Sequence, residues 1–216
     1  CGCVDPVHIL VDRLFLLIIP ACMLLLGAML VGCWLVQRRH VYLLWVAASY
    51  SLVGGAIAWQ SLMDPAGLQR WAVVTGVMYL FGTWCFARGM AGYFNVSARP
   101  RLGLLIGAVV LLALYYYSRI EVNLWMRTLW LNAGLGLLQL LPTARILQRQ
   151  WPTAGLERAM YWSYVLFAIN TSVRPLLSLA IGSRGESAAS FSSYWLMMLA
   201  TTMLFALLFS MLLLAN

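Results

Sequence analysis

The sequence contains no lysine, and its basic residues are all arginine. Charge of either sign is scarce, since only 9% of the 216 residues are charged and only 6 are acidic. The chain is 63% hydrophobic and its mean hydropathy is +0.87. Such a composition lacks the polar side chains needed to cover a soluble particle, so the sequence predicts a protein whose solvent is a lipid bilayer.

The same shortages exclude several classes of membrane protein. Without lysine the chain cannot form the Schiff base of a retinal protein. His8 and His40 are the only histidines and both lie outside the apolar runs, so a cytochrome that binds haem between facing histidines is excluded. Cys1-x-Cys3 makes a poor disulfide and an incomplete metal site. No phosphate-loop, HExxH or GxSxG motif is present, and we expect no catalytic residue, metal or cofactor.

Seven long apolar runs fill most of the chain. Crossing a bilayer takes about 20 apolar residues in a helix, and a helix satisfies its own backbone hydrogen bonds in lipid. The connecting segments are too short to form a soluble domain. We therefore predict an all-α, seven-transmembrane-helix bundle that forms one domain over residues 1–216. Its spans are expected at roughly 14–36, 41–63, 71–93, 102–118, 122–144, 159–182 and 190–214.

Arginine is distributed unevenly between the two ends of these runs. One side carries Arg38, Arg39, Arg88, Arg99, Arg101, Arg145, Arg149 and Arg158, and the other carries Arg13, Arg70, Arg119 and Arg184 beside Asp5, Asp12, Asp64, Glu121 and Glu186. By the positive-inside rule the N-terminus lies outside and the C-terminus is cytoplasmic. Because the arginines lie at span ends and form no basic face, the net charge of +8 does not indicate nucleic-acid binding.

Arg127 and Arg174 lie within the apolar runs on the outer side of the bundle. Arg127 falls about five residues below the outer end of the fifth run, and Arg174 lies deep in the sixth, immediately before Pro175. Antiparallel neighbours bring the two to about the same depth, in the outer third of the bundle. Since an unpaired arginine in lipid is costly, each is expected to face the interior and to find an acid, a carbonyl or water.

Two interpretations of these arginines stay open. In the structural one, Arg127 reaches the outer headgroups and Arg174 caps carbonyls freed by Pro175. In the functional one, both converge with aromatic and polar side chains on an outward-facing pocket for a small amphiphilic or anionic ligand. The candidate ligand-binding residues are then Arg174, Arg127, Trp125, Trp130, Asn170, Trp59 and Tyr115.

Small residues spaced four apart indicate close helix contacts. Gly103 and Gly107 form one such pair on the fourth run, and Ala28 and Gly32 form another on the first. Pairs of this kind allow two helices to approach closely, within one chain or between the copies of a homodimer.

Several short strings, taken in order, carry a resemblance over nearly the whole chain. They are Ala87-Arg88-Gly89-Met90-Ala91, Tyr116-Tyr117-Ser118-Arg119-Ile120-Glu121, Asn132-Ala133-Gly134-Leu135-Gly136-Leu137 and the segment from Glu186 to Tyr194. Together they resemble the N-terminal multi-span membrane sensor (MASE-like) regions of bacterial diguanylate cyclases. The resemblance implies a homodimeric module of the bacterial inner membrane, whose last helix enters a cytoplasmic GGDEF catalytic domain that makes cyclic-di-GMP.

No Gly-Gly-Asp-Glu-Phe string is present, so the resemblance carries no catalytic residue to this chain. The chain begins at Cys1 and stops at Asn216 directly after an apolar run, and we expect a piece of a longer protein that continues into the output domain. Two alternatives stay open. One is a small permease or lipid-handling protein, which should have two related halves, although no repeat is visible. The other is the membrane part of a histidine kinase or of an assembly scaffold.

Overall fold

The computed structural model describes residues 6–63, 65–149, 155–182 and 188–214, which leaves Cys1 and Cys3 outside the described residues. This part of the chain is helical and contains no strand. Its helices are α1 (Pro6–Val36), α2 (Val41–Leu62), α3 (Pro65–Arg70), α4 (Ala72–Tyr93), α5 (Pro100–Arg119), α6 (Leu124–Arg149), α7 (Gly155–Gly182) and α8 (Ala188–Leu214). The prediction of an all-α chain with seven long helices is confirmed. The short helix α3 lies where the sequence predicts only a loop.

Among the described residues, three helical segments are both long and apolar enough to cross a membrane: Leu17–Val36, Val41–Leu62 and Pro100–Arg119. A shorter apolar segment covers Ala200–Leu214 in α8. The sequence predicts seven membrane spans, and fewer described segments than that meet the length and hydropathy needed for one. The physical reason is that α4, α6 and α7 carry hydroxyl, amide and guanidinium groups, which lower their hydropathy and which they turn toward the centre of the bundle.

Six long helices form a closed ring. Around it, α1 packs on α2, α2 on α4, α4 on α6, α6 on α7, α7 on α8, and α8 returns to α1. The remaining long helix, α5, packs outside this ring against α4 and α6. The backbones of six helices in a ring are too far from its centre to fill it, so only side chains reach the interior.

The two ends of the ring are distinguished by their connections. The mouth end carries the α2–α4 and α5–α6 connections, and the base end carries the α1–α2 and α4–α5 connections. At the mouth end Asn123 caps α6, accepting a hydrogen bond from the amide of Met126 through Oδ1 at 3.1 Å. At the base end α4 stops at Tyr93, and Asn95, two residues later, has a left-handed φ of 52°. The amide of Val96 donates back to the Ala91 carbonyl at 2.8 Å.

Two arginines at the base end make side-chain contacts that join neighbouring elements. The Arg145 guanidinium donates to the carbonyl of Ser97 at 2.9 Å and so ties α6 to the α4–α5 connection. The Arg88 guanidinium lies 5.0 Å from the ring centroid of Trp45, which joins α4 to α2 through a cation–π contact.

Glycines allow α1, α2 and α4 to approach closely. A Cβ added at Gly54 would lie 3.2 Å from Cβ of Met23, and one added at Gly89 would lie 2.7 Å from a methyl carbon of Val46. Of the helix-packing residues expected from the sequence, some lie at close helix contacts and others do not. Gly103 lies against the indole ring of Trp84, whereas an added Cβ at Gly107 or Gly32 would meet nothing within 4 Å. Ala28 is exposed.

Gly103 and Gly107 provide a matched pair for testing how α5 docks. A Cβ at Gly103 would overlap the Trp84 ring, and overpacking of this kind costs about 1–3 kcal/mol. Helical glycine also costs about 0.5–1 kcal/mol relative to alanine. We therefore expect Gly103→Ala to lower the unfolding midpoint in mild detergent and Gly107→Ala to leave it unchanged or raise it slightly. Equal effects of the two substitutions would contradict the docking of α5 through Trp84.

Candidate functional site

A cavity of about 520 Å³ occupies the centre of the ring. This volume lies within the range of small-molecule sites. The wall is largely apolar, and its polar side chains lie at separate levels between the mouth and the floor of the cavity. Its lining residues are Met23, Ser49, Tyr50, Val53, Ile57, Gln60, Gln69, Ala72, Thr75, Tyr79, Thr83, Phe86, Leu114, Tyr117, Val122, Leu124, Arg127, Thr128, Leu131, Asn132, Leu135, Gln139, Phe167, Thr171, Arg174, Thr202, Ala206 and Phe209.

Polar side chains surround the mouth of the cavity. The Tyr79 hydroxyl donates to Oε1 of Gln60 at 2.8 Å and joins α4 to α2. Gln69 of α3 donates through Nε2 to the Ser118 carbonyl at 3.4 Å. Arg127 lines the cavity from the first turn of α6 and is partly buried, yet its guanidinium forms no hydrogen bond or ion pair with another residue of the described structure.

Arg174 connects the cavity wall to the last helix. Its side chain is 9% exposed, and Nη2 donates to Oγ1 of Thr201 at 2.9 Å and to Oγ1 of Thr202 at 3.1 Å. The next residue, Pro175, has no amide hydrogen for the carbonyl of Thr171 one turn earlier. A guanidinium that lines the cavity on α7 is therefore bonded to hydroxyls on α8.

An aromatic cluster closes the floor of the cavity. The centroid of the Phe86 ring lies 5.0 Å from that of Phe209, 5.6 Å from that of Tyr164, 5.9 Å from that of Phe167 and 6.4 Å from that of Tyr50. These rings come from α2, α4, α7 and α8. Tyr50 is stacked on Phe86, and the other three rings meet Phe86 edge to face or tilted. Together they fill the space between the helices below the cavity.

One amide at the level of this floor has no partner. Gln139 of α6 is 3% exposed and lines the cavity, and its Oε1 accepts no hydrogen bond. A buried acceptor left in this state is costly, which makes it a position where water or a ligand donor would be stabilised.

The two arginines lie at different depths, which corrects the expectation of equal depth. Gly136 of α6 packs against Ala168 and Ser172 of α7. Counting from this contact, Arg174 is level with a residue one turn above Gly136. Arg127 lies five residues nearer the mouth than that level, about 7 Å at 1.5 Å per residue. The backbone positions of the two cavity arginines thus differ in height along the bundle.

The structure separates the seven candidate ligand-binding residues. Arg127 and Arg174 line the cavity, and the other five do not. The Trp59 ring is half-exposed and packs on Trp71 with centroids 6.1 Å apart, while Trp130 and Tyr115 are exposed.

Trp125 and Asn170 are half-buried and lie outside the cavity lining. Trp125 Nε1 and Asn170 Nδ2 are buried without a hydrogen-bond partner. The convergence expected from the sequence therefore applies to the arginines and not to these aromatic and amide residues. The reason is rotation about the helix axis, since residues at one height of a helix face different directions.

Sequence reasoning missed three polar residues in or beside the cavity: Gln139 and Thr202 line it, and Thr201 accepts a hydrogen bond from Arg174. Gln139 is the one polar residue within Leu137-Leu138-Gln139-Leu140-Leu141, and Thr201 and Thr202 form a polar pair in the apolar last run. In each case the available signal was a polar residue isolated in a long apolar segment.

The described part of the lining contains two guanidinium groups and no carboxylate. Glu121, close to the mouth, is exposed and outside the lining. Within the described ranges, no three histidine, cysteine or acidic side chains come together to hold a metal ion. The chemistry that this arrangement supports is reversible binding of an anion next to an apolar chamber.

The chain matches no protein-family model, and neither the curated proteins nor the solved structures include a match.

Tyr50 and Tyr164 give a matched test of the packing around the cavity. The Tyr50 hydroxyl donates to the Ala206 carbonyl of α8 at 2.9 Å, whereas the equally buried hydroxyl of Tyr164 has no partner. Removing a satisfied hydrogen bond costs about 0.5–1.5 kcal/mol, and removing an unsatisfied hydroxyl does not. We expect Tyr50→Phe to lower the unfolding free energy in detergent and Tyr164→Phe to leave it unchanged or raise it. The reverse order would show that the hydroxyl contacts to α8 are incorrect.

Proposed function

We propose that this chain is the membrane sensor module of a bacterial diguanylate cyclase. It crosses the inner membrane seven times, binds a periplasmic or membrane-borne ligand in the central cavity, and controls a cytoplasmic GGDEF domain through α8. The observation that carries the proposal is the pair of hydrogen bonds from Arg174, in the cavity wall, to Thr201 and Thr202 of the last helix.

Residues at both ends of the bundle support this orientation in the bilayer. The base end carries a group of arginines, whereas the mouth end carries Arg70 and Arg119 beside Glu121. The base-end arginines are Arg38, Arg39, Arg88, Arg99, Arg101, Arg145, Arg149 and Arg158. An excess of arginine in short loops favours the cytoplasmic side. With the base end inside, the cavity opens outward and α8 ends on the side where a cytoplasmic domain could be joined.

The closed floor suits a sensor, which needs no path to the second side of the membrane. Below the cavity Phe86 packs with the rings of Tyr164 and Phe209, and the sequence lacks the two related halves typical of a permease. Nearer the base, Tyr161 and Ile146 are buried in a further cluster. A ligand bound above these layers can change the packing of the helices around it without passing through.

The contacts of α8 supply a route from ligand to output. An anion that reaches Arg174 would compete with the hydroxyls of Thr201 and Thr202 for the same guanidinium donors. A ligand shifts a two-state equilibrium only through different affinity for the two states, and competition of this kind provides that difference. Movement of α8 would then alter the alignment of two output domains in a homodimer. Gly32 and Gly107, which leave open space beside their helices, offer faces on which a second copy could pack.

The coding sequence beyond Asn216 gives a direct test of the proposed output domain. We expect it to continue without a stop codon into a soluble domain that contains a GGDEF motif, and we expect reporters fused after Asn216 to be active in the cytoplasm. A stop codon at this point, or a periplasmic reporter signal, would rule out the proposed relay.

The coupling through α8 can be tested in the full-length protein. Arg174→Gln and the double variant Thr201→Val/Thr202→Val both weaken the same two hydrogen bonds. Since a hydrogen bond to a charged group contributes about 1.5–3 kcal/mol, each change should shift cellular cyclic-di-GMP about tenfold, in the same direction. Combining the substitutions should add little, because both act on one contact.

Thr143→Val is the matched control for this experiment. Thr143 is buried on α6 outside the cavity lining and donates only within its own helix, to the Leu140 carbonyl. We expect this control to leave cyclic-di-GMP unchanged. Normal signalling by well-folded Arg174 and threonine variants would retire the proposed coupling.

A further inference from the structure

We infer that the cavity binds an anionic amphiphile that also carries a hydrogen-bonding group at the far end of its apolar chain. The acidic group lies at Arg127, the chain runs along the apolar wall, and the far end meets the amide of Gln139. The inference rests on the proposed function and defines the ligand class of the same cavity.

The acidic group is assigned from the surroundings of Arg127. This guanidinium lies at the cavity mouth, has no hydrogen bond or ion pair, and shares the described lining with no carboxylate. A partly buried arginine inside a membrane bundle is stable only when an acceptor or water meets it. Its planar donors match the two oxygens of a carboxylate or a phosphate, and bonds of this kind are stronger than bonds between neutral groups.

The apolar chain is assigned from the wall below the mouth. Leu131 and Leu135 line α6 on the way down, and Phe167 and Phe209 line the lower chamber from α7 and α8. Binding chambers walled mainly by aliphatic and aromatic side chains bind apolar ligand bodies, while a few polar groups set the orientation.

The far end of the ligand is assigned from Gln139. Its Oε1 is buried and has no donor, although the side chain lines the cavity. Gln139 and Arg127 are twelve residues apart on α6, about 18 Å along the axis. A plain fatty acid would satisfy Arg127 and leave Gln139 without a partner, whereas a chain with a terminal hydroxyl would satisfy both.

Matched amphiphiles test the two ends separately. The full-length protein, in nanodiscs of zwitterionic phosphatidylcholine, is heated with decanol, decanoate or ω-hydroxydecanoate, and the unfolding midpoint is recorded. A ligand that binds only the folded state raises this midpoint, and at equal ligand concentration the rise grows with the logarithm of its affinity. We expect decanoate to raise it more than decanol and ω-hydroxydecanoate to raise it most. Equal midpoints with decanol and decanoate would overturn the assignment of the acid, and equal midpoints with the two acids would overturn the assignment of the far end.

Variants assign each preference to its residue. Arg127→Gln should weaken decanoate binding about 10- to 100-fold and abolish the advantage of decanoate over decanol, while Arg127→Lys keeps the cation and much of that advantage. Gln139→Leu should remove only the preference for the terminal hydroxyl. Arg119→Gln, an exposed mouth-end control outside the lining, should bind all three probes as the parent protein does. Loss of binding in Arg119→Gln as large as in Arg127→Gln would reveal a general surface-charge effect and overturn the site.

A further arm separates the two sources of such a ligand. Lysophosphatidylglycerol presents an anion and an apolar chain from a membrane lipid but, like decanoate, has no hydroxyl at the far end of the chain. A larger midpoint shift than with decanoate would therefore assign a lipid anion at Arg127, whereas a smaller one would assign a free acid. These binding measurements are independent of output. Binding without any change in cyclic-di-GMP would overturn the proposed function alone. Altered output in the Arg174 and threonine variants, with no binding of any probe, would overturn only the ligand class.

Discussion

Side-chain hydrogen bonds from α2 and α7 end on α8, and the closure of the ring depends on them. Tyr50 donates to the Ala206 carbonyl, and Arg174 donates to Thr201 and Thr202. Between helices in a bilayer, apolar packing has no hydrophobic driving force, because lipid chains are as apolar as leucine. Directional bonds therefore have a larger share in fixing the position and rotation of α8 than they would in a water-soluble bundle.

The cavity follows from this closure. Six helices in a ring leave a central space, and the packing of α5 outside the ring keeps that space from being filled. The floor is closed by large rings around Phe86, while close contacts at Gly54 and Gly89 bring the helices of one side together. Close packing on one side and rings at the floor confine the open volume to the centre and the mouth end.

Polar groups inside the ring lie in steps. Arg127 is nearest the mouth, Arg174 lies about 7 Å deeper, and Gln139 is at the floor. The three side chains differ in their hydrogen bonds within the described residues. The Arg127 guanidinium forms none, Arg174 donates to α8, and Oε1 of Gln139 accepts none. An apolar wall between such groups strengthens each electrostatic interaction, because its dielectric constant is lower than that of bulk water.

Composition and the lengths of the apolar runs were enough to predict an all-helical chain with seven long helices, because a backbone in lipid has to satisfy its own hydrogen bonds. The scarcity of charge also singled out Arg127 and Arg174 as inward-facing residues. Sequence could not place Trp59 and Tyr115 relative to the cavity, because their orientation depends on how each helix is rotated in the ring, and both lie outside the lining. The same rotation turned Gln139 inward, and the order of packing set the α8 hydroxyls beside Arg174. Those neighbours lie 27 and 28 residues along the chain from Arg174, and only the tertiary structure brought them together.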